Sequence, residues 1–142
     1  MRICLRAYIE CMTEIRVLIV DDMERVRQDL RTFLTLTGDI QVVGEGSNGL
    51  EAIRLAETLH PQVILMDLEM PVLDGYEAIR RIKDFQPSCR IIALTIHDGE
   101  AEQEKALRAG ADDFITKGPS LYRLLEAIHK ISTIGQMPQK GE

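Results

Sequence analysis

The sequence has few cysteines, no long apolar segment and no excess of positive charge. Its three cysteines, Cys4, Cys11 and Cys89, show no CxxC spacing, so neither a disulfide framework nor a zinc site is indicated. No stretch approaches the roughly 20 apolar residues that cross a bilayer. The net charge of -6 argues against a protein that grips nucleic acid directly. These absences predict a cytoplasmic protein without a membrane segment.

Proline and glycine are also scarce, at 5 and 10 residues, whereas 45% of the 142 residues are apolar. This composition excludes a disordered or low-complexity chain, and the length fits one domain. Residues 1–13 show no clear period, and residues 133–142 have the Gly, Pro and Gln content of a linker. We therefore expect an N-terminal extension over 1–13, with Met12 as a second candidate start, one domain over 14–132, and a C-terminal tail or truncated linker over 133–142.

Five short apolar runs alternate along the chain with five segments of helical period. The first, third and fourth runs are almost continuously apolar, which is typical of strands buried on both faces of a parallel sheet. The second and fifth are weaker and suit the sheet edges. The order predicts an α/β fold, with a doubly wound parallel sheet between two layers of helices. The runs are Ile15–Val20, Ile40–Val43, Val63–Met66, Ile91–Leu94 and Phe114–Ile115.

Four of the helical segments have an apolar stripe at the 3.6-residue period. Gly38 and Gly110 are placed to end helices, and Ser120 is placed to begin the last one. The segment Glu100–Ala109 has helical propensity but little apolar surface beyond Ala106 and Leu107, so we expect it to be loosely held. The stripes are Val26, Leu30, Phe33 and Leu34; Leu50, Ile53 and Ala56; Tyr76, Ile79 and Ile82; and Leu121, Leu124, Leu125, Ile128 and Ile131.

Polar side chains stand where four of the strands end. Asp21 and Asp22 follow the first strand, Asp67 the third, Thr95 the fourth and Lys117 the fifth. Because ligands of doubly wound sheets bind outside the carboxyl ends of the strands, these five side chains form the candidate site.

Three carboxylates cannot lie together without cations, since two of them about 4 Å apart repel by roughly 4 kcal/mol at an effective dielectric constant near 20. Lys117 supplies one positive charge, and the charge left over suits a hard dication. Oxygen ligands favour Mg²⁺ or Mn²⁺, which commonly share a site with a phosphate oxygen. A carboxylate can itself attack phosphorus and form an aspartyl phosphate.

These motifs resemble the receiver domain of the response regulators of two-component systems over about 14–132. The resemblance rests on Asp21-Asp22, on the run from Asp67 to Gly75, on Ala93-Leu-Thr95 and on Phe114-Ile-Thr-Lys117. It implies a flavodoxin-like strand order of 2-1-3-4-5. The stretches Val42-Val-Gly-Glu and Asn48-Gly-Leu-Glu-Ala resemble receivers that precede a LuxR-type helix-turn-helix output domain. A stand-alone receiver and a truncated regulator of transcription both remain open.

The resemblance also implies the roles of individual residues. Asp67 would accept the phosphoryl group, and Thr95 and Lys117 would bind it. Mg²⁺ would be held by Asp22, Asp67 and the main-chain carbonyl of Glu69, with support from Asp21. The implied partner is a sensor histidine kinase or a phosphotransfer domain, and homodimerisation on phosphorylation stays open.

Two further features concern switching and phosphoryl lifetime. Phe114 occupies the position of an aromatic side chain whose rotamer follows phosphorylation in the family, and simple core packing is the equal alternative. Glu69 and His97 lie where the family tunes hydrolysis of the phosphoryl group, or are exposed loop residues. Asp74 is better interpreted as a turn or cap residue than as an acceptor. Many receivers have proline directly after the lysine, whereas here Gly118 intervenes.

Each site residue also has a purely structural interpretation. Asp21 and Asp22 could cap the first helix, Thr95 could simply end a strand, and Lys117 could lie on the surface. Other activities compatible with the fold are a Mg²⁺-dependent phosphohydrolase and a flavin carrier. The first needs a second catalytic Asp where Glu69 stands, and the second needs a phosphate loop where Asp21 and Asp22 stand. We therefore expect a signalling module and not an enzyme.

Overall fold

The computed structural model describes residues 14–97, 99–118 and 121–136. Within these residues, five strands and five helices alternate. In order they are β1 (Ile15–Val20), α1 (Glu24–Leu36), β2 (Ile40–Gly46), α2 (Gly49–Leu59), β3 (Val63–Asp67), α3 (Gly75–Phe85), β4 (Arg90–Thr95), α4 (Glu100–Ala109), β5 (Asp113–Thr116) and α5 (Leu121–Gln136).

The strands form one parallel sheet in the order β2-β1-β3-β4-β5. The predicted fold class and strand order are therefore confirmed, and β2 and β5 lie at the edges. Residues 17–20 and 63–66 are buried without exception, as expected for strands covered on both faces.

Two apolar layers cover the two faces of the sheet. On one face α1 and α5 pack with Leu34 and Ile128, and on the other α2, α3 and α4 pack with Ala56, Ile79 and Ala106. Alternate residues of each strand point into opposite layers. This arrangement is the three-layer sandwich that the sequence predicts.

Glycines and short polar side chains define several helix ends. Gly38 and Gly110 adopt positive φ angles of 85° and 120°, a conformation that glycine reaches without strain. The Asp74 carboxylate accepts a hydrogen bond from the Glu77 N–H at 3.0 Å, so Asp74 caps α3. Asn48 caps α2 in the same way. Ser120 lies outside the described residues.

One of the predicted apolar stripes is wrong in part. Leu50 is exposed, whereas Ala56 of the same stripe is buried as expected. The α2 helix also buries Ala52, because small side chains let its backbone approach the sheet closely. Leu107, part of the small apolar surface expected of α4, is exposed as well. The α5 helix continues to Gln136, four residues beyond the expected domain limit.

Candidate functional site

The structure brings three acidic side chains together at the carboxyl edge of the sheet. Asp21 and Asp22 follow β1, and Asp67 is the last residue of β3. One carboxylate oxygen from each lies within 4.8 Å of the others. Asp21 and Asp67 are 0% and 4% exposed, whereas Asp22 is open to solvent. Met23 occupies the N-cap position of α1, so the interpretation of the aspartates as a helix cap does not hold.

Lys117 reaches this acidic group from the end of β5. Its Nζ lies 2.6 Å from Asp21 Oδ2 and 3.2 Å from Asp67 Oδ1. One ammonium group therefore contacts two of the three grouped carboxylates. We call Asp21, Asp22, Asp67 and Lys117 the carboxyl-edge cluster. Its surplus of negative charge and its set of carboxylate oxygens fit a hard divalent cation such as Mg²⁺.

Burial and crowding change the protonation equilibria of this cluster. Burial and the nearby Asp21 carboxylate raise the pKa of Asp67 to about 6, although Lys117 opposes the shift. Burial alone would lower the pKa of Lys117, but its hydrogen bond to Asp21 and the two neighbouring carboxylates outweigh burial and raise it. The lysine therefore stays protonated, while the negative charge of the Asp67 carboxylate is poorly compensated by its surroundings.

Thr95 and Phe114 lie side by side on one face of the sheet. Both are buried, and Phe114 pairs with Ala93, two residues before Thr95 on β4. The Thr95 hydroxyl accepts a hydrogen bond from the His97 N–H at 3.0 Å. The Thr95 side chain is thus engaged by its own loop in this structure.

Glu69 and His97 meet beside the cluster. His97 Nε2 lies 3.0 Å from Glu69 Oε2, and both side chains are more than half exposed. The Glu69 N–H also donates to Asp67 Oδ1 at 3.3 Å. The sequence placed these residues near the site but did not predict their contact, because they come from different loops.

The loop between β3 and α3 contains a strained turn that sequence reasoning missed. Val72 has a φ of 70°, and the Leu73 N–H donates to the Pro71 carbonyl at 2.7 Å. A β-branched residue in this region is a genuine outlier, and strain of this kind is concentrated at functional sites. The Asp74-Gly75 pair signalled a turn here, but not this conformation.

Gly75 closes this loop against the acidic cluster. A Cβ atom at this position would lie 2.3 Å from the Asp67 carbonyl oxygen, so any side chain would displace the backbone of Asp67. The Gly75 N–H also donates to the Leu68 carbonyl at 3.1 Å. The glycine is therefore required by a close backbone approach.

Three exposed apolar side chains lie in the loops that follow strands at the carboxyl edge of the sheet. Met23, Val72 and Ile96 are 57%, 73% and 65% exposed and lie in the loops after β1, β3 and β4. No periodicity in the sequence marks them, because they belong to loops. Exposed apolar side chains that lie close together commonly mark protein-binding surfaces.

The model of the response regulator receiver domain matches residues 17–129. The chain belongs to this family. Receiver domains are the phosphorylation-dependent signalling switches of two-component systems and do not form a family of metabolic enzymes. The resemblance drawn from the strand-end motifs is therefore confirmed.

Individual relatives support the subfamily as well. The response regulator protein VraR of Staphylococcus aureus is 43% identical over 118 residues, which are 83% of this chain and 56% of that protein. The chain thus spans little more than half the length of the curated relatives it matches. A two-component response regulator of the LuxR family from Aurantimonas sp. SI85-9A1 is 34% identical with a TM-score of 0.81, covering 84% of this chain and 86% of that one.

A further similar structure is a co-crystal of the Saccharomyces cerevisiae histidine phosphotransfer signaling protein Ypd1 with the receiver domain of its downstream response regulator Ssk1. The match is 28% identical with a TM-score of 0.80 and covers 90% of this chain and 95% of that one. Within the described part of this chain, no helix combines the length and apolar character that crossing a membrane requires.

Proposed function

We propose that this chain accepts a phosphoryl group onto Asp67 from a sensor histidine kinase or a phosphotransfer domain. Mg²⁺ would be held by Asp22, Asp67 and the Glu69 main-chain carbonyl, with Asp21 in support. The observation that carries the proposal is the carboxyl-edge cluster, in which three carboxylates lie together and Lys117 contacts two of them. Such a surplus of negative charge is costly to maintain unless a cation joins it.

In the transfer, an Asp67 carboxylate oxygen attacks phosphorus. The bond from phosphorus to the donor imidazole nitrogen breaks, and its electron pair returns to that nitrogen. Lys117, already 3.2 Å from Asp67, neutralises charge that spreads over the phosphoryl oxygens. The divalent cation supplies further neutralisation of this charge when bound. Asp21 holds the lysine in place through its 2.6 Å hydrogen bond.

Thr95 and Phe114 would convert the new phosphoryl group into a change of surface. The Thr95 hydroxyl would leave the His97 N–H and donate to a phosphoryl oxygen, which frees space beside Phe114. The α4 helix buries only Ala106 and Ala109, so little packing energy resists its displacement. The altered surface of α4, β5 and α5 would then control the output.

Two kinds of partner are suggested, one by the exposed apolar side chains near the cluster and one by the relatives of this chain. Met23, Val72 and Ile96 supply apolar contact around the cluster for an incoming phosphodonor protein. Similarity to VraR and to LuxR-family regulators favours control of transcription, through a DNA-binding domain beyond 133–142 of this sequence and with dimerisation on phosphorylation. A cytoplasmic location suits such partners, and the chain would turn over no external substrate.

Intact-mass spectrometry after incubation with acetyl phosphate and Mg²⁺ tests this function. The native sequence should gain one phosphoryl group, whereas Asp67→Asn and the native sequence with excess EDTA should gain none. Asp74→Asn is the matched control, because Asp74 caps α3 and should leave phosphorylation intact. An adduct that persists in Asp67→Asn would place the acceptor elsewhere.

A further inference from the structure

Every polar atom of Asp21 has a hydrogen-bond partner. Its N–H donates to the Gly46 carbonyl at 3.0 Å, and its carboxylate accepts from the Met23 N–H at 2.9 Å and from Lys117 at 2.6 Å. Its carbonyl oxygen accepts from Arg27 Nη1 at 2.6 Å. The Arg27 contact differs from the others because it reaches the peptide group that joins Asp21 to Asp22.

Arg27 is itself held in place by Glu45 on β2. Its Nε lies 3.1 Å from Glu45 Oε1, and its side chain is only 16% exposed. Arg31, one turn further along α1, contacts the other carboxylate oxygen of Glu45. Burial would raise the pKa of Glu45, but hydrogen bonds from Arg31 and Arg27 outweigh it and lower the pKa. Glu45 therefore stays ionised and anchors the planar guanidinium.

We propose that Arg27 is a positioning residue for the metal and phosphoryl site. Because the peptide unit is planar, holding the Asp21 carbonyl also sets the orientation of the Asp22 N–H and Cα. Asp22 is the exposed member of the carboxyl-edge cluster, so its direction depends on the backbone. Arg27 thus aims the Asp22 carboxylate at the cation. The identity of that cation as Mg²⁺ rests on the proposed function.

Positioning and simple electrostatics predict opposite changes in Mg²⁺ affinity when Arg27 is replaced. Removing a positive charge near three carboxylates would strengthen cation binding if charge alone mattered. Releasing the Asp22 backbone would weaken it. Outer contacts that orient metal ligands are commonly worth tenfold or more in affinity, whereas Arg27 is already partly neutralised by Glu45. Weaker Mg²⁺ binding is therefore the signature of positioning.

The decisive experiment is a Mg²⁺ titration of the unphosphorylated protein without any phosphodonor. Binding is monitored by two-dimensional NMR. Arg27→Met should bind Mg²⁺ about tenfold more weakly than the native sequence. Arg27→Lys keeps one donor but cannot bind the Asp21 carbonyl and Glu45 in the geometry of the guanidinium, so its Mg²⁺ affinity should be intermediate. The matched control Arg31→Met loses a contact to the same Glu45 but none to Asp21, and should stay within about twofold.

A second readout separates positioning from general damage. The rate of phosphorylation by acetyl phosphate should need about tenfold more Mg²⁺ in Arg27→Met and reach nearly the native maximum at saturation. Native or tighter Mg²⁺ binding by Arg27→Met would overturn the role of Arg27. If Arg27→Met does not fold, native affinity in Arg27→Lys has the same meaning. Failure of the native sequence itself to bind Mg²⁺ would instead refute the proposed function.

Discussion

Aspartates contact cationic side chains both where the strands end, at the carboxyl edge of the sheet, and where they begin, at the amino edge. The two clusters are built differently. At the carboxyl edge, Asp21, Asp22 and Asp67 lie together, and Lys117 contacts Asp21 and Asp67. At the amino edge, the Asp112 carboxylate forms ion pairs with Lys83 Nζ at 2.7 Å and with Arg90 Nη1 at 3.4 Å. It also accepts a hydrogen bond from the Ile91 N–H at 2.8 Å. We call Lys83, Arg90 and Asp112 the amino-edge cluster.

The difference lies in the balance of charge. The amino-edge cluster has two cations for one carboxylate, and Lys83 also donates to the Cys89 carbonyl at 2.7 Å. It ties the end of α3 to the starts of β4 and β5. The carboxyl-edge cluster has three carboxylates for one cation, and the pKa of Asp67 is raised to about 6 by burial and by Asp21. The carboxylate of the amino-edge cluster is thus outnumbered by cations, whereas the candidate site is left short of positive charge.

The largest expected effect comes from removing the carboxylate of the amino-edge cluster. Asp112→Ala should lower the free energy of unfolding by about 2 kcal/mol, because it removes the carboxylate that accepts from Lys83, Arg90 and the Ile91 N–H. Urea denaturation measures the loss. Phosphorylation by acetyl phosphate should be retained under conditions where the variant is folded. A loss of less than about 0.5 kcal/mol would show that this cluster contributes little to the fold.

A smaller effect should come from supplying the missing charge at the other edge. When free Mg²⁺ reaches about ten times its dissociation constant, the free energy of unfolding should rise by about 1.4 kcal/mol. Thermal or urea denaturation at constant ionic strength measures it. Mg²⁺ should raise the free energy of unfolding of Asp112→Ala as much as that of the native sequence, and should raise that of Asp22→Asn less. An equal gain in Asp22→Asn would place the cation elsewhere.

The smallest effect is expected at Cys89, beside the amino-edge cluster. Burial raises the pKa of this thiol to about 12, so little thiolate forms near pH 8. Iodoacetamide should leave Cys89 unmodified in the folded protein and alkylate it fully in urea. Peptide mapping separates Cys89 from Cys4 and Cys11. Equal rates in the two conditions would mean that the amino edge opens readily.

The sequence was sufficient for features that depend on short-range pattern and on topology. Continuous apolar runs predicted the parallel strands, and their ends predicted that Asp21, Asp67 and Lys117 would share one edge. Gly38 and Gly110 were identified as helix ends because they stand just past helical patterns, and both adopt a positive φ in the structure. Parallel topology converts sequence positions into spatial neighbours without further information.

Side-chain contacts between distant elements could not be predicted in this way. The contact of Arg27 with Glu45 and the Asp21 carbonyl depends on the angle between α1 and β2, and charged residues on a helix are usually solvated. The contacts of Asp112 with Lys83 and Arg90 have no periodic signal either. Leu50 was misplaced because α2 packs through the small side chains of Ala52 and Ala56, which carry no strong apolar signal.

The shortage of positive charge at the carboxyl edge is tested most directly by unfolding the metal-free protein as a function of pH. Because the folded-state pKa of Asp67 is about 6 against an ordinary value of 3.8, the native sequence should lose stability as pH rises from about 4 to about 6. Asp67→Asn should lack this loss. Above about pH 7 in EDTA, Asp67→Asn should be more stable by about 2 to 3 kcal/mol. A native sequence as stable as Asp67→Asn, or more stable, under these conditions would contradict the account.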